Sequence, residues 1–324
     1  QNVDLAILEV GMGGRLDATN VVTPLVGVIT NVSMDHEAYL GNTLAEVAGE
    51  KAGIVKQGLP VISGVGTGET KDERVVLEVV ERFCRERRAS LFLHGRDFFV
   101  EPTGDGKWDY WAMKRKGCCQ LREKIAGLSS NLKGSYQMVN CGVALAALEI
   151  LDRFGFAVED AIIRSGLLEV SWPGRLEHFC LSRQNSDRVE CGTSGSVGYL
   201  LDGAHNPAGI ESLREALEND FDYDRLILVW GAMEDKDLSK TLPLIVPIAD
   251  ILILTMVEYE RSAKPDQLLG FLPPDIHGRT IKEEYLVKAL ARAVELAGDK
   301  DLICIGGSLY LVGEARTLLL GEIV

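Results

Sequence analysis

The sequence predicts an α/β protein with mostly parallel sheets, organised in two domains. Short apolar runs alternate with amphipathic helical patterns along most of the chain, which is typical of parallel α/β units. A length of 324 residues fits about two domains at roughly 150 residues each. The run Trp172-Pro173-Gly174 interrupts the pattern. We therefore expect domains at 1–173 and 174–324, with a hinge at this run.

The first domain shows strand and helix patterns in alternation. Strands are predicted at 4–10, 25–31 and 60–63, and helices at 43–55, 71–88 and 135–153. Thr43 and Glu46 form a capping box that starts the first of these helices. The other two carry apolar stripes: Val76, Val79, Val80 and Phe83, then Met138, Cys141, Leu145 and Leu148. Residues 91–127 are rich in aromatic residues and glycine, and indicate hairpins appended to the α/β core.

The second domain repeats the alternation after a polar stretch at 184–198, which predicts a loop. Strands are predicted at 199–202, 225–230, 250–255 and 301–305, and helices at 207–219, 283–297 and 308–320. Asn206 fits the N-cap of the helix at 207–219, with Pro207 as its first residue. Cys304 lies inside a strand and is expected in the core.

Composition excludes several classes of protein. The net charge of −14 disfavours non-specific binding to nucleic acid or to anionic membranes, although a local basic pocket can still bind an anion. The longest apolar stretch, 244–254, is broken by Pro247 and Asp250 and is too short to span a bilayer. The seven cysteines show no CxxC or zinc-knuckle spacing. We expect a reduced, cytoplasmic monomer without nucleic-acid or membrane partners.

Phosphate-binding loops are incomplete in this sequence. The glycines of 11–14 follow a strand pattern, but a dinucleotide fingerprint needs glycine where Leu16 stands. No GxxxxGK[ST] loop occurs, since Gly106-Lys107 precedes Trp108. The chain begins without Met and runs directly into a strand pattern, so we expect that further residues precede it.

Glu9 and His36 are candidate metal ligands. Each follows or ends a predicted strand, and ligands of parallel sheets bind at the carboxyl ends of strands. The alternatives are a Glu9 that is solvated or paired with Arg15, and a His36 that caps a turn.

Lys51 occupies an unexpected position for a charged side chain. It shares a helical stripe with Leu44, Val47 and Ala48, which faces the sheet. An inward lysine must be paired, neutralised or modified. The alternative is an extended side chain that reaches solvent along the helix.

Several polar residues are further ligand candidates. Gln137 and Asn140 share a helix face that either binds a ligand or forms the polar edge of a core stripe. Arg175 either reaches a phosphate between the domains or lies on the surface. Asp202 and His205 are not required by the turn that precedes Asn206, so they are functional candidates. The turn at 306–308 could bind an anion, but close helix–sheet packing explains its glycines better.

An ordered set of motifs resembles the bacterial folylpolyglutamate synthase/dihydrofolate synthase family of the Mur ligase superfamily. The motifs run from EVGMGGRLDATN at 9–20 to GSLY at 307–310, through DH at 35–36, LG at 40–41, EKAGI at 50–54, WPGR at 172–175, DGAHNP at 202–207 and DKD at 235–237. The family's N-terminal phosphate-loop segment, with a Ser/Thr ligand of the first Mg²⁺, has no counterpart here, so this chain alone is expected to be inactive. The resemblance implies an ATPase-like central domain and a Rossmann-like glutamate ligase domain.

The resemblance also implies a reaction and residue roles. ATP converts a substrate carboxylate to an acyl phosphate, which the amine of L-glutamate attacks. Mg²⁺ would be bound by Glu9 and His36, with Lys51 carbamylated to support the metal site. ATP would lie between the domains, with Asn140 and Arg175 on one side and Asp202 on the other, and His205 near the nucleotide. The pterin of dihydropteroate or folate would contact Leu16, Asp17 and Ala18.

Two other functions remain open at this level. One is a Mur-type ligase that joins an amino acid to a different carboxylate. The other is a nucleotide-binding fragment that has kept the fold without the phosphate loop. The run at 13–20 favours folate substrates through the resemblance.

Overall fold

The computed structural model describes residues 3–113 and 124–321, which form two compact units. Unit 1 contains the residues up to Asn131 together with Ser135–Val170, and unit 2 contains Leu132–Gly134 and the residues from Ser171 onward. Among the described residues, every helix is too short or too polar to cross a bilayer.

Unit 1 combines a parallel and an antiparallel sheet with helices. Its strands are β1 (Gly27–Ile29), β2 (Val61–Ser63), β3 (Leu91–Leu93), β4 (Phe98–Gly104), β5 (Lys107–Ala112) and β6 (Ile125–Leu128). Its helices are α1 (Glu37–Leu40), α2 (Leu44–Ala52), α3 (Lys71–Glu86), α4 (Ser135–Leu151) and α5 (Asp160–Glu169), with 3₁₀ turns at Ala18–Val21 and Asp152–Phe154. Strands β1-β2-β3 are parallel and β4-β5-β6 antiparallel.

The predicted strand at 4–10 is wrong. The described residues of this segment are irregular, and nearly all of its side chains are exposed. Local apolar patterning cannot form a strand by itself, because a strand needs a neighbour to satisfy its backbone N–H and C=O groups. No described strand pairs with this segment.

The predicted helices of unit 1 are confirmed, with small changes at their ends. Thr43 caps α2 through the expected box, in which its hydroxyl accepts from the N–H of Glu46 and the Glu46 carboxylate accepts from the N–H of Thr43. Val47 and Ala48 are fully buried, so this face of α2 packs on the core.

The hairpins predicted at 91–127 are largely confirmed. Strand β3 instead joins the parallel sheet, and β4, β5 and β6 form the antiparallel one. Residues 114–123 lie outside the described residues. A core cluster of Phe98, Trp108 and Tyr110 packs against α4, and the Tyr110 hydroxyl contacts the Glu149 carboxylate at 3.0 Å.

Unit 2 is built on a seven-stranded sheet in the order β12-β11-β10-β13-β9-β7-β8. Its strands are β7 (Glu177–Ser182), β8 (Arg188–Val189), β9 (Ser196–Asp202), β10 (Leu226–Trp230), β11 (Ile251–Met256), β12 (Thr280–Tyr285) and β13 (Leu302–Gly306). The helices are α6 (Pro207–Asn219), α7 (Leu238–Ile245), α8 (Pro265–Leu269), α9 (Leu286–Leu296) and α10 (Leu309–Leu320), with 3₁₀ turns at Val246–Ile248 and Pro274–Arg279. The predicted alternation is confirmed here, except that the helix predicted at 283–297 begins only at Leu286, because 283–285 belong to β12.

Parallel pairing brings the carboxyl ends of the central strands of unit 2 to one edge. Strands β9, β13, β10, β11 and β12 are parallel, while β7 and β8 are antiparallel to their neighbours. The register places Asp202 beside Gly306, and Gly306 beside Trp230. Residues at the ends of β9, β13 and β10 therefore share this edge.

The expected loop at 184–198 contains more structure than predicted. It includes β8, and β9 begins at Ser196.

Cys180 and Cys191 form a disulfide, so the expectation of wholly reduced cysteines is wrong for this pair. The sequence spacing of 11 residues carries no local signal, because only the β7–β8 hairpin brings the two thiols together. Cys84, Cys141 and Cys304 are buried free thiols, while Cys118 and Cys119 lie outside the described residues.

Candidate functional site

Asp17 organises the glycine-rich segment of unit 1. Its Oδ2 accepts from the backbone N–H groups of Gly11 and Met12 at 3.0 and 3.1 Å, and its Oδ1 accepts from the N–H and hydroxyl of Thr19 at 2.9 and 2.6 Å. These hydrogen bonds lower the pKa of Asp17 to about 2. The carboxylate thus stabilises its own loop, while Leu16 beside it is 80% exposed. Ala18 is also exposed.

The same segment packs on the C-terminal end of α2. The Arg15 guanidinium pairs with the Glu50 carboxylate at 2.8 Å, and the Arg15 N–H donates to the Glu50 carbonyl at 2.9 Å. Arg15 is therefore paired with Glu50. The sequence analysis had given a pair of Arg15 with Glu9 as one alternative. Gly14 is buried with φ of 152°, and a Cβ there would lie 3.3 Å from the carbonyl oxygen of Lys51. Glycine at this position lets the loop contact the helix that carries Lys51.

Lys51 is half-buried at the end of α2. Desolvation lowers the pKa of its amine, and the nearby Asp35 carboxylate opposes that shift. The fully buried Val47 and Ala48 lie on the same helical stripe, as the sequence predicts. Lys51 therefore has an amine that loses its proton more readily than an exposed lysine, close to an acidic group.

His36 lies next to that acidic group in a strained backbone conformation. It occupies the N-cap position of α1 with φ of 50°, in the left-handed region, and its side chain makes no capping hydrogen bond. The Asp35 carboxylate accepts from the His36 N–H at 2.8 Å and lies 3.9 Å from Nε2. Non-glycine residues are held in this conformation mainly where the surroundings fix them, often at functional sites. Asp35 is a site residue that the sequence analysis noted without assigning it a role.

Glu9 is exposed and lies in an irregular segment. The strand end that was predicted to bring Glu9 close to His36 is therefore missing. Within the described residues, neither Glu9 nor His36 belongs to a cluster of three potential metal ligands. The chemistry of the local donors still suits a divalent cation, since Asp35 supplies carboxylate oxygens beside the His36 imidazole. Asp35 and His36 are therefore the residues that fit a divalent cation, and the role of Glu9 remains a prediction.

Asn140 and Gln137 lie one turn apart on α4. The Asn140 amide donates to the Gln137 Oε1 at 3.0 Å, and both residues are partly buried. The shared face that the sequence predicts is therefore present. One donor hydrogen of Asn140 is used within the pair, which fixes the orientation of both amides.

Asp202 is the buried centre of the candidate site in unit 2. It is 3% exposed, and its carboxylate accepts from the N–H of Leu176 at 2.9 Å and of Ala204 at 2.8 Å. Burial raises the pKa of Asp202, and these hydrogen bonds and the nearby Arg175 and His205 oppose the rise. The prediction that the turn does not need Asp202 is wrong, since Ala204 belongs to that turn.

Arg175 comes before Asp202 in the sequence, and His205 comes after it. Arg175 is exposed, and Leu176 after it has φ of 44°, so the Asp202 hydrogen bond fixes an unfavourable backbone conformation. The Nδ1 of His205 lies 2.8 Å from the Gly203 carbonyl, which orients the ring. Arg175 and Asp202 belong to unit 2 and Asn140 to unit 1. Their arrangement around ATP stays a prediction.

The neighbouring strand ends complete the edge. Asn206 caps α6 by accepting from the N–H of Gly209 at 2.8 Å, with Pro207 as the first helical residue, as predicted. A Cβ on Gly307 would lie 2.6 Å from the carbonyl of Gly231, so packing explains this glycine. Ser308 caps α10.

Two tyrosines at this edge were missed by the sequence analysis. Tyr259 follows β11 and Tyr310 lies in the first turn of α10, and their rings stack with centroids 5.0 Å apart. Both are exposed, and the guanidinium of Arg261 lies 5.6 Å from the Tyr259 ring. Only the fold brings the two tyrosines together, because 51 positions separate them in the sequence, 310 less 259.

The chain is similar to known proteins in both sequence and fold. Residues 187–309 match the family described as Mur ligase, glutamate ligase domain. The chain is 31% identical over 321 residues to the dihydrofolate synthase/folylpolyglutamate synthase of Bacillus subtilis, covering 98% of this chain and 68% of that protein. It spans only 34% of a probable bifunctional folylpolyglutamate synthase/dihydropteroate synthase of Haloferax volcanii, at 32% identity.

The fold is similar to those of solved folylpolyglutamate synthases. Mycobacterium tuberculosis folylpolyglutamate synthase, complexed with ADP and AMPPCP, matches with a TM-score of 0.81 and 29% identity over 99% of this chain and 70% of that one. A bifunctional folylpolyglutamate synthase/dihydrofolate synthase with Mn, AMPPNP and L-glutamate bound matches with a TM-score of 0.74 and 25% identity over 96% and 65%.

Proposed function

The chain belongs to the folylpolyglutamate synthase/dihydrofolate synthase family of ATP-dependent ligases, and we propose that it serves the ATP-dependent addition of L-glutamate to dihydropteroate, to folylpolyglutamate, or to both. The observation that carries the proposal is the Asp202 cluster, where one buried carboxylate fixes the loop of Arg175 and the turn of His205. This cluster lies at the carboxyl end of a parallel strand, where α/β sheets bind ligands.

The proposed reaction forms an amide in two steps. The substrate carboxylate attacks the γ-phosphorus of ATP, which gives an acyl phosphate and releases ADP. The amine of L-glutamate then attacks the acyl carbon, and phosphate leaves with formation of the amide bond. Both steps depend on stabilising negative charge on phosphoryl oxygens and on holding the reactants in line.

The residues of unit 2 are proposed to hold the nucleotide. Arg175 is exposed and carries a permanent positive charge, so it is suited to contact phosphate oxygens. Asp202 is proposed to bind the nucleoside while it fixes the loop, and His205 to contact the nucleotide through the ring nitrogen opposite Nδ1. Asn140 of unit 1 is proposed as a further nucleotide ligand, oriented by Gln137.

We propose that His36 and Glu9 bind a divalent cation, Mg²⁺, with Asp35 and a carbamylated Lys51 nearby. Such an ion offsets negative charge on the phosphates and on the transferring group. The lowered pKa of Lys51 supports the modification, because only the neutral amine reacts with CO₂. A relative was solved with Mn and L-glutamate bound.

The pterin is proposed to bind at the loop that Asp17 organises. Leu16 offers an exposed apolar side chain, and Ala18 leaves space for a flat ring. Asp17 would position these two residues through its four hydrogen bonds. We further propose that the protein acts as a monomer in the cytoplasm.

Phosphate release by the full-length gene product tests the function. The assay contains ATP, Mg²⁺ and L-glutamate with dihydropteroate, a tetrahydrofolate or a cell-wall peptide precursor. Release that depends on a folate-type acceptor is expected. Release with the cell-wall precursor alone would indicate a different Mur-type ligase, and ATP binding without release in any mixture would indicate a nucleotide-binding protein.

A further inference from the structure

The β7–β8 hairpin of unit 2 carries three potential metal ligands that the proposed ligase reaction does not use. They are His178, Cys180 and Cys191, and one ligand atom from each lies within 4.8 Å of the others. Of the described residues, only these three form such a group of His, Cys, Asp or Glu.

Strand register explains why the three side chains converge. His178 and Cys180 are two residues apart on β7, so they project from the same face. Cys180 pairs with Val189 on β8, and Cys191 follows Val189 by two residues, which brings it to the same face opposite His178. The cluster is therefore a consequence of the hairpin register.

We propose that His178, Cys180 and Cys191 form a redox-gated binding site for Zn²⁺ or a similar thiophilic cation. The disulfide is the oxidised, metal-free state, because its sulfurs carry no thiolate charge. The reduced state offers two thiolates and one imidazole, which is the donor set that Zn²⁺ prefers. Three protein ligands leave a fourth position for water.

The surroundings of the cluster suit this role. Cys180 is 4% exposed, whereas His178 and Cys191 are exposed, so an ion can approach from solvent while one ligand is anchored in the core. Partial desolvation and the nearby Lys133 lower the pKa of His178, which favours the neutral imidazole that binds metals. The Phe221 ring lies 5.3 Å from the His178 ring and limits its orientations.

The cluster and the proposed nucleotide site are neighbours in the sheet of unit 2 that share no residue. His178 pairs with Leu200 on β9, two residues before Asp202, and Cys180 pairs with Gly198, four residues before it. At about 3.3 Å per residue these spacings correspond to roughly 7 and 13 Å along the strand.

The site binds metal in two steps, reduction of the disulfide and then binding of Zn²⁺. A dithiol reductant donates two electrons and two protons to the Cys180–Cys191 disulfide, which gives two thiols and an oxidised, cyclic disulfide of the reductant. Binding of Zn²⁺ then forms two Zn–S bonds and releases two protons to solvent. A reducing compartment therefore favours the state that binds metal.

Metal binding to the full chain tests the site. Cys118 and Cys119 are replaced by serine, so that the thiols outside the cluster are the buried Cys84, Cys141 and Cys304. The protein is reduced with a phosphine, the phosphine is removed without air, and Zn²⁺ is titrated against a chromophoric chelator. Co²⁺ is titrated in parallel, since thiolate ligation gives a charge-transfer absorption band.

One equivalent of Zn²⁺ is expected for the reduced protein and none for the oxidised protein. Cys191→Ser should abolish the sulfur-to-Co²⁺ band of a two-thiolate site and remove stoichiometric binding. His178→Ala removes one of the three protein ligands and should weaken binding by more than the roughly tenfold to hundredfold that loss of an outer-shell partner costs. Cys84→Ala is the matched control and should bind Zn²⁺ like the parent.

Two results of the metal titrations would overturn the proposal. The first is a reduced parent protein that binds no Zn²⁺ while its circular dichroism remains that of the folded chain. The second is equal binding by the parent and by Cys191→Ser. Thiol counting after denaturation supports the redox part if it finds three thiols before reduction and five after it, the three buried cysteines and then the pair. Five thiols before reduction would refute the disulfide state.

Discussion

The backbone N–H of Leu176 donates to the Asp202 carboxylate across 2.9 Å, and this bond joins the loop of Arg175 to the end of β9. Leu176 has a left-handed φ of 44°, which a leucine does not adopt without support from its surroundings. The second Asp202 oxygen accepts from Ala204 at 2.8 Å. One buried carboxylate therefore holds the two segments that carry Arg175 and His205.

Asp202→Asn tests this double role. The amide can accept only one of the two N–H groups, so one buried donor loses its partner at a cost of about 1–3 kcal/mol. We expect a lower melting temperature and weaker ATP binding, measured by thermal unfolding and by calorimetry. Asp220→Asn, at the exposed C-cap of α6, is the control and should change neither. An unchanged Asp202→Asn would contradict the role.

Arg175→Ala should weaken ATP binding without unfolding unit 2. The side chain is exposed, and loss of a charge-assisted hydrogen bond to phosphate costs about 1.5–3 kcal/mol, or roughly tenfold or more in Kd. Calorimetric titration with ATP measures the effect. Arg292→Ala on α9 is a control, because its pair with Glu295 lies on the surface. Normal ATP affinity in Arg175→Ala would exclude the phosphate role.

Much of the fold follows from local sequence signals. The Thr43 capping box and the Asn206-Pro207 start of α6 each use hydrogen bonds within one turn, so they can be identified without the rest of the chain. The central strands of unit 2 are apolar on both faces and are equally clear. The predicted strand at 4–10 fails because pairing requires a neighbour that local sequence does not specify.

The site is less predictable because its contacts are distant in sequence. The bond from Leu176 to Asp202 spans 26 residues and the stack of Tyr259 on Tyr310 spans 51, so neither has a local pattern. The disulfide depends on the hairpin register in the same way. Lys51 is the exception, since its conflict with an apolar helical stripe is visible from spacing alone and its pKa is lowered as that conflict implies.

Asp17→Asn should loosen the glycine-rich loop. The asparagine amide cannot accept at both oxygen positions, so either the Gly11 and Met12 amides or the Thr19 amide lose their acceptor. Amide hydrogen exchange across 11–19 should become faster, with little change in global stability because the site is exposed. Asp4→Asn in the irregular segment is the control.

The lowered pKa of Asp17 also predicts how the stability of the loop depends on pH. The carboxylate stabilises the loop above its unfolded value of 3.8, and this protection should disappear as the pH falls towards about 2.

The pH dependence of stability should reveal the half-buried amine of Lys51. Its folded pKa lies below the unfolded value of 10.5, so the unfolded chain binds more protons between these two values. The free energy of unfolding should therefore rise with pH through that alkaline window. Lys51→Met keeps the apolar stem and should remove this rise. Lys71→Met, at an exposed position on α3, should retain it. Parallel pH profiles for Lys51→Met and the parent would contradict the assignment.

Lys51→Ala tests the proposed carbamate in the full-length enzyme. The neutral amine attacks CO₂ and loses a proton, which gives an anionic carbamate beside Asp35 and His36. Bicarbonate and mildly alkaline pH should favour the modification, since only the deprotonated amine reacts. We expect a loss of turnover of at least about a hundredfold, the scale that catalytic groups acting through positioned charge contribute. Added acetate or propionate should restore part of it by supplying a carboxylate to the vacated position. Lys56→Ala is the matched control, because the Lys56 amine donates to the Asn20 carbonyl and has no role in the proposed reaction. Full activity in Lys51→Ala, or equal activity of the parent with and without bicarbonate after CO₂ is removed, would refute the carbamate. Either result would favour a lysine whose side chain reaches solvent along the helix.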